Sequence, residues 1–481
     1  MRKKKRCLLA FGLLTSMSLL VSNTLANGSI PSQVKSAPHQ AAVPSPLEPS
    51  APSSYRSNLA YSVGVDAYIY GYTLVEMART MQTYTQKTPL NTFHHDKFLA
   101  DASFRDFVKP NNDTLYSSAW LDLSKGPQVL SYPKIDRYFT LQIMDAYTNS
   151  FEYIGGSNLD EYQGGKVLIV GPDWKGNLPS DVEVIRAPTN MVWILGRTFV
   201  NGEKDLPHVY KIQVEFTLAS LDVGQEPSFI DFPKIEASDF HDPSKFYPLL
   251  AILMKQNPPP QKDQAFLSKL ELIGLDYQEG TFRAGDNPEM IEGLTKAVKD
   301  AREIIKKSVS ILQKPNNGNW RVNNERVGIY DTFYLNRAMT AMHGLAANTA
   351  EEAVYASTRI GEDGNPLVGN KKYVIHFEKE QVPATKSFWS LSIYNAENFF
   401  IENPIDRYSI GSRTEGLVYN EDGSLDIYIQ STAPTGHESN WLPSPSSSES
   451  LNFGLILRIY TPDEKIQENT FVLPAVKVVN Q

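Results

Sequence analysis

Two separate parts of this sequence contain short segments in which apolar residues occupy every second position, and this alternation constrains the fold most strongly. In the first part, residues 138–144 show this alternation, and the segments 166–170, 182–186, 191–199 and 209–218 continue as predicted strands. The last third repeats the pattern around Ile375, Leu391, Ile427 and Leu457. Turn residues separate the segments, and the pairs Asp363-Gly364 and Asp422-Gly423 are typical of tight hairpins. The pattern predicts antiparallel sandwiches rather than a doubly wound parallel sheet.

Helical spacing replaces the alternation at 59–81, 288–312 and 334–345. The first of these segments is rich in tyrosine, and we expect it to pack on a sheet. Asp286 and Asn287 precede Pro288, which suits the first turn of a helix. The patterns together predict a mainly β protein with helical insertions. We expect two antiparallel β-sandwich, jelly-roll-like domains at 57–238 and 346–481, joined by a helical region at 239–345.

The N-terminal residues have the build of a secretory signal peptide. A basic cluster at 2–6 precedes an apolar run at 7–21, and Thr24-Leu25-Ala26 supplies small residues for cleavage after Ala26. The apolar run is short for a bilayer span, so we expect no stable membrane insertion after cleavage of residues 1–26. Residues 27–56 are rich in Ser, Pro, Ala and Gln, and we expect them to form a disordered leader.

Cleavage would change the charge and the cysteine content of the chain. The segment 1–26 holds five basic residues and the single cysteine, so the net charge would fall from 46 − 54 = −8 to 41 − 54 = −13. An acidic chain repels the phosphates of nucleic acid, and we therefore expect no nucleic-acid partner. A mature chain without cysteine cannot form disulfides. These properties favour a periplasmic or secreted protein.

Two passages carry a more specific signal than the periodicity. The first comprises PNNDTLYS at 110–117, LDLSKGP at 121–127 and YFTLQIMDAYTN at 138–149. The second comprises FWSL at 388–391, ENPIDRYSIG at 402–411, DGSLDIYIQ at 422–430 and NWLP at 440–443. Together they resemble an exported bacterial family with two domains of unknown function, DUF 1254 followed by DUF 1214, over roughly 59–470. The resemblance implies two jelly-roll-like domains joined by helices, and it implies no reaction.

Familiar catalytic and metal-binding signatures are missing from the sequence. It has no Gly-x-Ser-x-Gly nucleophile elbow and no phosphate-binding loop. His94, His95 and Asp96 offer metal-ligand types in a row. Adjacent side chains on a strand point to opposite faces, however, so consecutive histidines rarely share one ion. We therefore predict no metal site and no cofactor.

Polar side chains at the ends of predicted strands are better site candidates. They form two groups, which are Asn111, Asn112 and Asp113, and then Asp145, Tyr147 and Asn149. If Asp113 and Asp145 approached each other, one could keep its proton while the other ionised, as acid–base hydrolysis requires. We therefore assign catalytic roles to Asp113, Asp145 and Tyr147, and ligand contacts to the asparagines. The alternative is structural, because Asn and Asp cap turns and Tyr can lock a sandwich corner.

A matching polar cluster in the second predicted domain contains Asn403, Arg407 and Trp441. Arg407 could grip a carboxylate or phosphate of a ligand, or it could pair with one of its own acidic neighbours. Trp441 lies in a loop rich in Ser and Pro, where it could stack on a sugar or fill an interface. In the first domain, Arg197 needs a partner if it is buried, and Asp145 is one candidate.

These features support two hypotheses about function. The first is a cofactor-independent periplasmic hydrolase or lyase with a cleft for a polar small molecule or a glycan. The second is a non-catalytic binding or assembly protein of the cell envelope, which recognises a glycan or another subunit. Jelly rolls host both kinds of function, so the fold does not choose between them. The sequence also leaves a homo-oligomer open.

Overall fold

The computed structural model describes residues 54–479, apart from 106–107, 222–232, 316–318 and 447–451. The predicted signal peptide, and the predicted leader as far as residue 53, lie outside the described residues. The helix predicted at 59–81 begins at Tyr55. Its start is fixed by Ser54, whose hydroxyl accepts a hydrogen bond from the Ser57 N–H at 3.1 Å and caps the first turn.

The first β region lies between residues 93 and 220. Its strands are β1 (Phe93–His95), β2 (Thr114–Asp122), β3 (Gln128–Tyr132), β4 (Phe139–Asp145), β5 (Ser150–Gly155), β6 (Gly165–Val170), β7 (Glu183–Arg186), β8 (Met191–Phe199) and β9 (Thr217–Ser220). In the described part of the chain they form the five-stranded sheet A, in the order β1-β2-β8-β4-β5, and the four-stranded sheet B, in the order β7-β6-β3-β9. Neighbouring strands are antiparallel except β6 and β7, which are parallel.

Sheet A is buried on both of its faces. Side chains on its inner face, such as Leu141 and Ile194, share an apolar core with Leu130 and Ile169 of sheet B. Because side chains alternate along a strand, Thr140, Gln142 and Arg197 lie on the other face of sheet A, which we call its outer face. Packed helices cover one half of this outer face, and the rest meets the C-terminal sheets.

One strand prediction in this region is wrong. The segment 209–218 is not a single strand, because the helix α2 (Leu206–Gln213) precedes β9. Pro207 stands in the first turn of the helix, where its missing N–H does no harm. Val209 and Ile212 are three residues apart and are both buried, whereas Val214 is 62% exposed. Burial therefore follows the helical period, although the apolar residues also alternate.

Helices fill the space beside sheet A. They are α1 (Tyr55–Thr85), α3 (Pro243–Gln256), α4 (Gln264–Leu267), α5 (Pro288–Lys307), α6 (Val309–Leu312) and α7 (Tyr334–Gly344), with a short α8 (Glu464–Gln467) near the C-terminus. Short 3-10 helices lie at Leu159–Gln163, Glu203–Asp205, Ala237–His241, Gln261–Asp263, Leu270–Ile273, Ala284–Asp286, Lys379–Gln381 and Glu438–Asn440. The predicted helix start at Pro288 is confirmed, and the Asn287 side chain caps it by accepting from the Met290 N–H.

The helix α1 is the centre of the helical layer. Its buried residues share one apolar core with α3, α5 and α7, and with Trp120 and Trp193 on the outer face of sheet A. Those two indole rings stack with their centroids 4.7 Å apart. The expectation that this helix packs on a sheet is therefore confirmed. Over the described ranges, none of the helices combines the length and the apolar character that crossing a bilayer needs.

The C-terminal third returns to strands. These are β12 (Lys314–Pro315), β13 (Arg321–Asn323), β14 (Ala353–Thr358), β15 (Tyr373–Phe377), β16 (Thr385–Asn395), β17 (Ser409–Gly411), β18 (Leu425–Gln430), β19 (Trp441–Pro443), β20 (Phe453–Pro462) and β21 (Val476–Val478), preceded by the small pair β10 (Leu275–Asp276) and β11 (Thr281–Phe282). Within the described ranges, sheet C has the order β12-β13-β14-β20-β16-β17 and sheet D the order β19-β18-β15-β21. Only the β18–β19 pair among these sheets is parallel in the described residues.

Sheets C and D share a second apolar core. The residues that alternate in the sequence meet there, including Ile375 and Ile427 of sheet D and Leu391 and Leu457 of sheet C. The prediction of a mainly β protein with helical insertions and antiparallel sheets is therefore confirmed. Residues 53–481 belong to one compact unit, and the outer face of sheet C packs against that of sheet A through Tyr138 and Phe388.

The close approach of α1 and α5 gives a test of the helical layer. A Cβ added at Gly293 would lie 2.1 Å from the backbone oxygen of Ser57. We expect Gly293→Ala to lower the free energy of unfolding by about 1–3 kcal/mol, although alanine favours helix by about 1 kcal/mol, because the helices must separate. Chemical denaturation measures this change. The control is Gly344→Ala on α7, where an added Cβ would meet no neighbouring atom of the described residues within 4 Å. Equal effects of the two substitutions would contradict the prediction.

Candidate functional site

The two aspartates proposed as a catalytic pair lie at opposite ends of sheet A. Thr114, which follows Asp113, pairs with Phe199, whereas Asp145 pairs with Val192. At ~3.3 Å per residue, this register puts the two aspartates roughly 25 Å apart along the strands. The expectation that Asp113, Asp145 and Tyr147 converge in one cleft is therefore wrong. Alternating sequence patterns show which residues share a face, but they do not show how antiparallel strands are aligned.

The Asp145 group builds a tight turn after β4. The Asp145 carboxylate accepts hydrogen bonds from the backbone N–H groups of Tyr147 and Asn149, both at 2.9 Å, and from the Asn149 side chain. Thr148 in this turn has a φ of 65°. The Tyr147 hydroxyl donates to the Asn257 carbonyl oxygen at 2.9 Å. These bonds show that the group caps a turn, which was the structural alternative to a catalytic role.

The Asp113 group ties sheet A to sheet C. Asn111 accepts from the Asp113 and Thr114 N–H groups, as a turn-capping asparagine does. The Asp113 carboxylate accepts from the hydroxyls of Ser390 at 2.5 Å and Tyr460 at 3.3 Å. Asn112 likewise accepts from the hydroxyl of a sheet C residue, Ser409. Burial raises the pKa of Asp113, and the nearby Arg458 guanidinium opposes that rise.

The cluster predicted in the second domain is also structural. Arg407 donates to three carbonyl oxygens, of Glu438, Ser439 and Trp441. The alternative that it pairs with one of its own acidic neighbours, Asp406 or Glu402, is therefore not observed. Asn403 accepts from the Arg407 N–H in a turn.

The structure also corrects the prediction for Trp441, another member of that cluster. It lies in the short strand β19 and is only 5% exposed, and its indole N–H donates to the Gln430 carbonyl oxygen at 2.8 Å. A buried indole cannot stack on a sugar in solvent, so the suggested glycan contact at Trp441 has no structural support. Trp389 is also buried, in the apolar core between sheets C and D.

The histidines near β1 have separate partners. His94 contacts Thr88 and Asp96, whereas the His95 ring is hydrogen-bonded to the Ser117 hydroxyl. Burial lowers the pKa of His95 to about 4. The described residues contain no group of three or more His, Cys, Asp or Glu side chains that could hold a metal ion.

Arg197 differs from all these residues, because its charge is buried without a carboxylate. It is 6% exposed and donates to the Gln142 side chain at 2.8 Å, the Asn348 side chain at 3.0 Å and the Ala346 carbonyl oxygen at 2.8 Å. All three acceptors are neutral, so the guess that Asp145 is its partner is wrong. An arginine stays protonated in proteins and has five N–H donors. Three are used here, which leaves two for a further acceptor.

Tyrosines surround this guanidinium. The Tyr116 ring lies beneath it, with its centroid 5.6 Å from the arginine carbon Cζ. Tyr355 is linked to it through Asn348, whose amide donates to the Tyr355 hydroxyl at 3.1 Å. Tyr116, Tyr153 and Tyr355 are half-buried. We call the set around the guanidinium the junction cluster, since it lies where sheet A, the segment after α7 and sheet C meet, and its members are Tyr116, Tyr138, Thr140, Tyr153, Arg197 and Tyr355.

Two hydroxyls of the junction cluster have no hydrogen-bond partner in the described part of the chain. Thr140 pairs in register with Arg197, and its hydroxyl is fully buried. Tyr138 is 7% exposed, and its hydroxyl is likewise buried and unpartnered. Burial raises the pKa of Tyr138 well above its ordinary value. An unsatisfied buried hydroxyl is unfavourable, so these two hydroxyls add to the cost of the buried charge beside them.

Glu352 supplies a carboxylate close to Tyr138. One of its oxygens accepts from the backbone N–H and the hydroxyl of Ser157, at 3.2 and 2.7 Å. The other oxygen, Oε2, is buried and has no partner among the described residues. A glycine is required at position 156, where φ is 59° and a Cβ would lie 1.8 Å from Oε2. Burial raises the pKa of Glu352, and the Ser157 hydrogen bonds oppose the rise.

Sequence reasoning identified Arg197 but missed most of its surroundings. The positions Tyr138, Thr140 and Gln142 could have been connected with it, because they form the polar face of an otherwise apolar strand. Tyr355 and Glu352 gave no comparable signal, since their approach depends on how sheet C packs against sheet A.

The junction cluster draws on two regions with known relatives. Residues 90–220 match the family described as Protein of unknown function (DUF1254), and residues 352–464 match Protein of unknown function (DUF1214). The chain belongs to the family that joins these two domains. Within this DUF1254–DUF1214 arrangement, Arg197 lies in the first matched region and Tyr355 in the second. The cluster is therefore formed between the two.

Two solved structures that the chain matches have descriptions that state no activity. The crystal structure of the VPA0106 protein from Vibrio parahaemolyticus has a TM-score of 0.68 and 24% identity, and the match covers 88% of this chain and 100% of that chain. An uncharacterized protein from Burkholderia cenocepacia has a TM-score of 0.42 and 12% identity, over 88% of this chain and 95% of that one. No curated protein matches the chain. The similarity to the Vibrio protein supports only the fold of this DUF1254–DUF1214 chain.

Glu352 gives a pH-dependent test of the geometry. Its pKa in the folded chain is raised above 4.5, so its contribution to stability is complete below 4.5 and is lost as the pH rises through the folded value. Glu352→Gln keeps an oxygen for Ser157 and removes the charge. We expect the free energy of unfolding of Glu352→Gln, relative to that of the parent chain, to increase as the pH rises from below 4.5 to neutral. Urea unfolding measures this difference. The exposed neighbour provides the control, Glu351→Gln, and a pH-independent difference for Glu352→Gln would refute the prediction.

Proposed function

We propose that this chain is an exported protein that binds a small carboxylate-bearing molecule between its two domains, with Arg197 holding the anionic group. The domains are the two β regions at 57–238 and 346–481, which we propose to be jelly-roll-like sandwiches. Export rests on the signal-like sequence at 1–26. The observation that carries the binding proposal is the buried guanidinium of Arg197, which contacts only neutral acceptors among the described residues.

The positive charge of Arg197 is largely removed from water. A buried ion without an opposite charge is costly, and the neutral oxygens around Arg197 offset only part of this cost. The planar guanidinium still has two N–H donors, the number that a carboxylate accepts in a bidentate pair. Half-buried tyrosines lie beside it, and Arg197 itself is 6% exposed. Boundaries between domains are common places for small-molecule sites.

The other hypotheses have less support. A paired-carboxylate hydrolase or lyase would need Asp113 and Asp145 together, and they lie at opposite ends of sheet A. For a glycan-binding role, the aromatic residue suggested as the sugar contact was Trp441, which is buried. Anion binding at the junction cluster needs neither feature.

Direct binding measurements test the proposal. We would titrate the purified chain in low-chloride buffer with cyclohexanecarboxylate and with cyclohexanecarboxamide, which differ in charge but have the same ring. We expect only the acid to bind and to stabilise the fold, by about 2.7 kcal/mol at one hundred times its Kd. Arg197→Met should weaken binding by about 2–5 kcal/mol, because the carboxylate loses a buried charged partner.

A matched substitution separates binding from folding. Arg337 is also buried and donates to a neutral acceptor, the Tyr70 carbonyl oxygen, but it belongs to the helical layer. Arg337→Met should destabilise the chain and leave the acid affinity unchanged. If the acid and the amide behave alike, or if both arginine variants bind the acid as the parent chain does, the proposed function is wrong.

A further inference from the structure

We propose that an open groove along helix α5 binds a short peptide in an extended conformation. The ammonium group of the peptide lies at Glu292, and its terminal carboxylate lies at Lys299 and Arg302. The groove is separate from the junction cluster, and it does not depend on the function proposed for Arg197.

The groove runs between α5 and the 3-10 helix Ala237–His241, and we call it the α5 groove. It has a volume of about 800 Å³, within the range of ~300–1,000 Å³ that is typical of small-molecule sites. Glu292, Lys299 and Arg302 line it from α5, and His241 lines it from the 3-10 helix. These four side chains are exposed or half-buried. A ligand can therefore reach them from solvent.

Glu292 gives one end of the α5 groove a negative charge. It is exposed and forms no ion pair with any described residue. Lys296 lies one helical turn further along the groove, but it pairs with Asp300 at 2.5 Å. The charge of Glu292 is therefore left for a positively charged group of a ligand, such as the ammonium group of a peptide.

Lys299 and Arg302 give the other end a positive charge. Arg302 is half-buried and donates to the neutral hydroxyl of Tyr68 at 3.3 Å. Tyr68 in turn donates to the Phe240 carbonyl oxygen at 2.9 Å, which places Arg302 beside the 3-10 helix that carries His241. Lys299 is exposed, and the described part of the chain gives it no ion pair. This end of the groove can therefore accept a carboxylate.

The spacing of these charges sets the length of the ligand. At ~1.5 Å of rise per residue, Lys299 and Arg302 lie roughly 10 and 15 Å from Glu292 along α5. An extended chain covers at most ~3.3–3.6 Å per residue, so a peptide of about three or four residues spans this distance. Glu303 also lines the positive end, but it pairs with Lys307 at 3.1 Å. A short peptide with two free ends therefore matches both the signs and the separation of the charges.

Peptides with free and blocked ends test this assignment. We would titrate the purified chain with tetraalanine, N-acetyl-tetraalanine, tetraalanine amide and dialanine at low ionic strength, using ligand-observed NMR. We expect tetraalanine to bind, and each blocked form to bind about two- to fivefold more weakly, the range expected when one exposed ion pair is lost. Dialanine should also bind more weakly, because it is too short to reach both ends of the groove.

Substitutions then assign each end of the peptide. Glu292→Gln should abolish the effect of acetylation and keep the effect of amidation. Lys299→Gln and Arg302→Gln should each reduce the effect of amidation and keep the effect of acetylation. The matched controls are Glu289→Gln and Lys306→Gln, which make the same changes of charge on α5 at side chains that do not line the groove. All five side chains reach solvent, so we expect every variant to fold.

The outcomes distinguish a peptide from other ligands and from the site at Arg197. If amidation weakens binding and acetylation does not, the groove is an anion site and the peptide proposal is overturned. It is also overturned if blocked and free peptides bind alike, or if no peptide binds. Arg197→Met should leave tetraalanine binding unchanged. A loss of binding in that variant, with none in Lys299→Gln or Arg302→Gln, would place the carboxylate at the junction cluster and overturn the α5 groove while supporting the proposed function.

Discussion

The central constraint in this structure is a positive charge buried where sheet A, the segment after α7 and sheet C meet. Arg197 cannot lose its proton in a folded protein, and within the described ranges it contacts neutral oxygens and tyrosine rings. The buried carboxylates of Asp145 and Asp113 have roles in a turn and between strands. Arg197 has no such carboxylate, and it lies beside hydroxyls that are also unsatisfied. These properties point to a partner that is negatively charged and polar.

The packing of the sheets creates this environment. Sheet A uses its inner face for a core with sheet B, so its outer face must be covered by other parts of the chain. Helix α1 and its neighbours cover the half that bears Trp120 and Trp193 with apolar side chains. The other half meets sheet C through aromatic residues such as Tyr138 and Phe388. A mixed polar and aromatic junction is therefore a consequence of joining two layered units through their outer faces.

Much of the fold could be predicted from the sequence, because burial imposes a period of two on strands such as β4 and a period near 3.6 on α5. The same rule failed at 209–218, where an alternating pattern coincided with a helix, and burial of Val209 and Ile212 decided the structure. The site was harder to predict, since it depends on strand register and on contacts between sheets. Asp145 and Arg197 lie on adjacent strands, yet the register separates them, while Tyr355 reaches Arg197 from a distant part of the chain. Polar residues at strand ends mostly cap turns, and the unusual residue was the arginine inside a strand.

A crystal structure of the chain with bromide, located by its anomalous scattering, tests most directly whether the uncompensated charge of Arg197 binds an anion. Bromide reports the position of an uncompensated positive charge without requiring knowledge of the natural ligand. We expect a bromide ion within hydrogen-bonding distance of the Arg197 guanidinium, at the side that faces Tyr116 and Tyr138. A structure in which an aspartate or glutamate of the chain pairs with Arg197, with no bromide bound there, would contradict it.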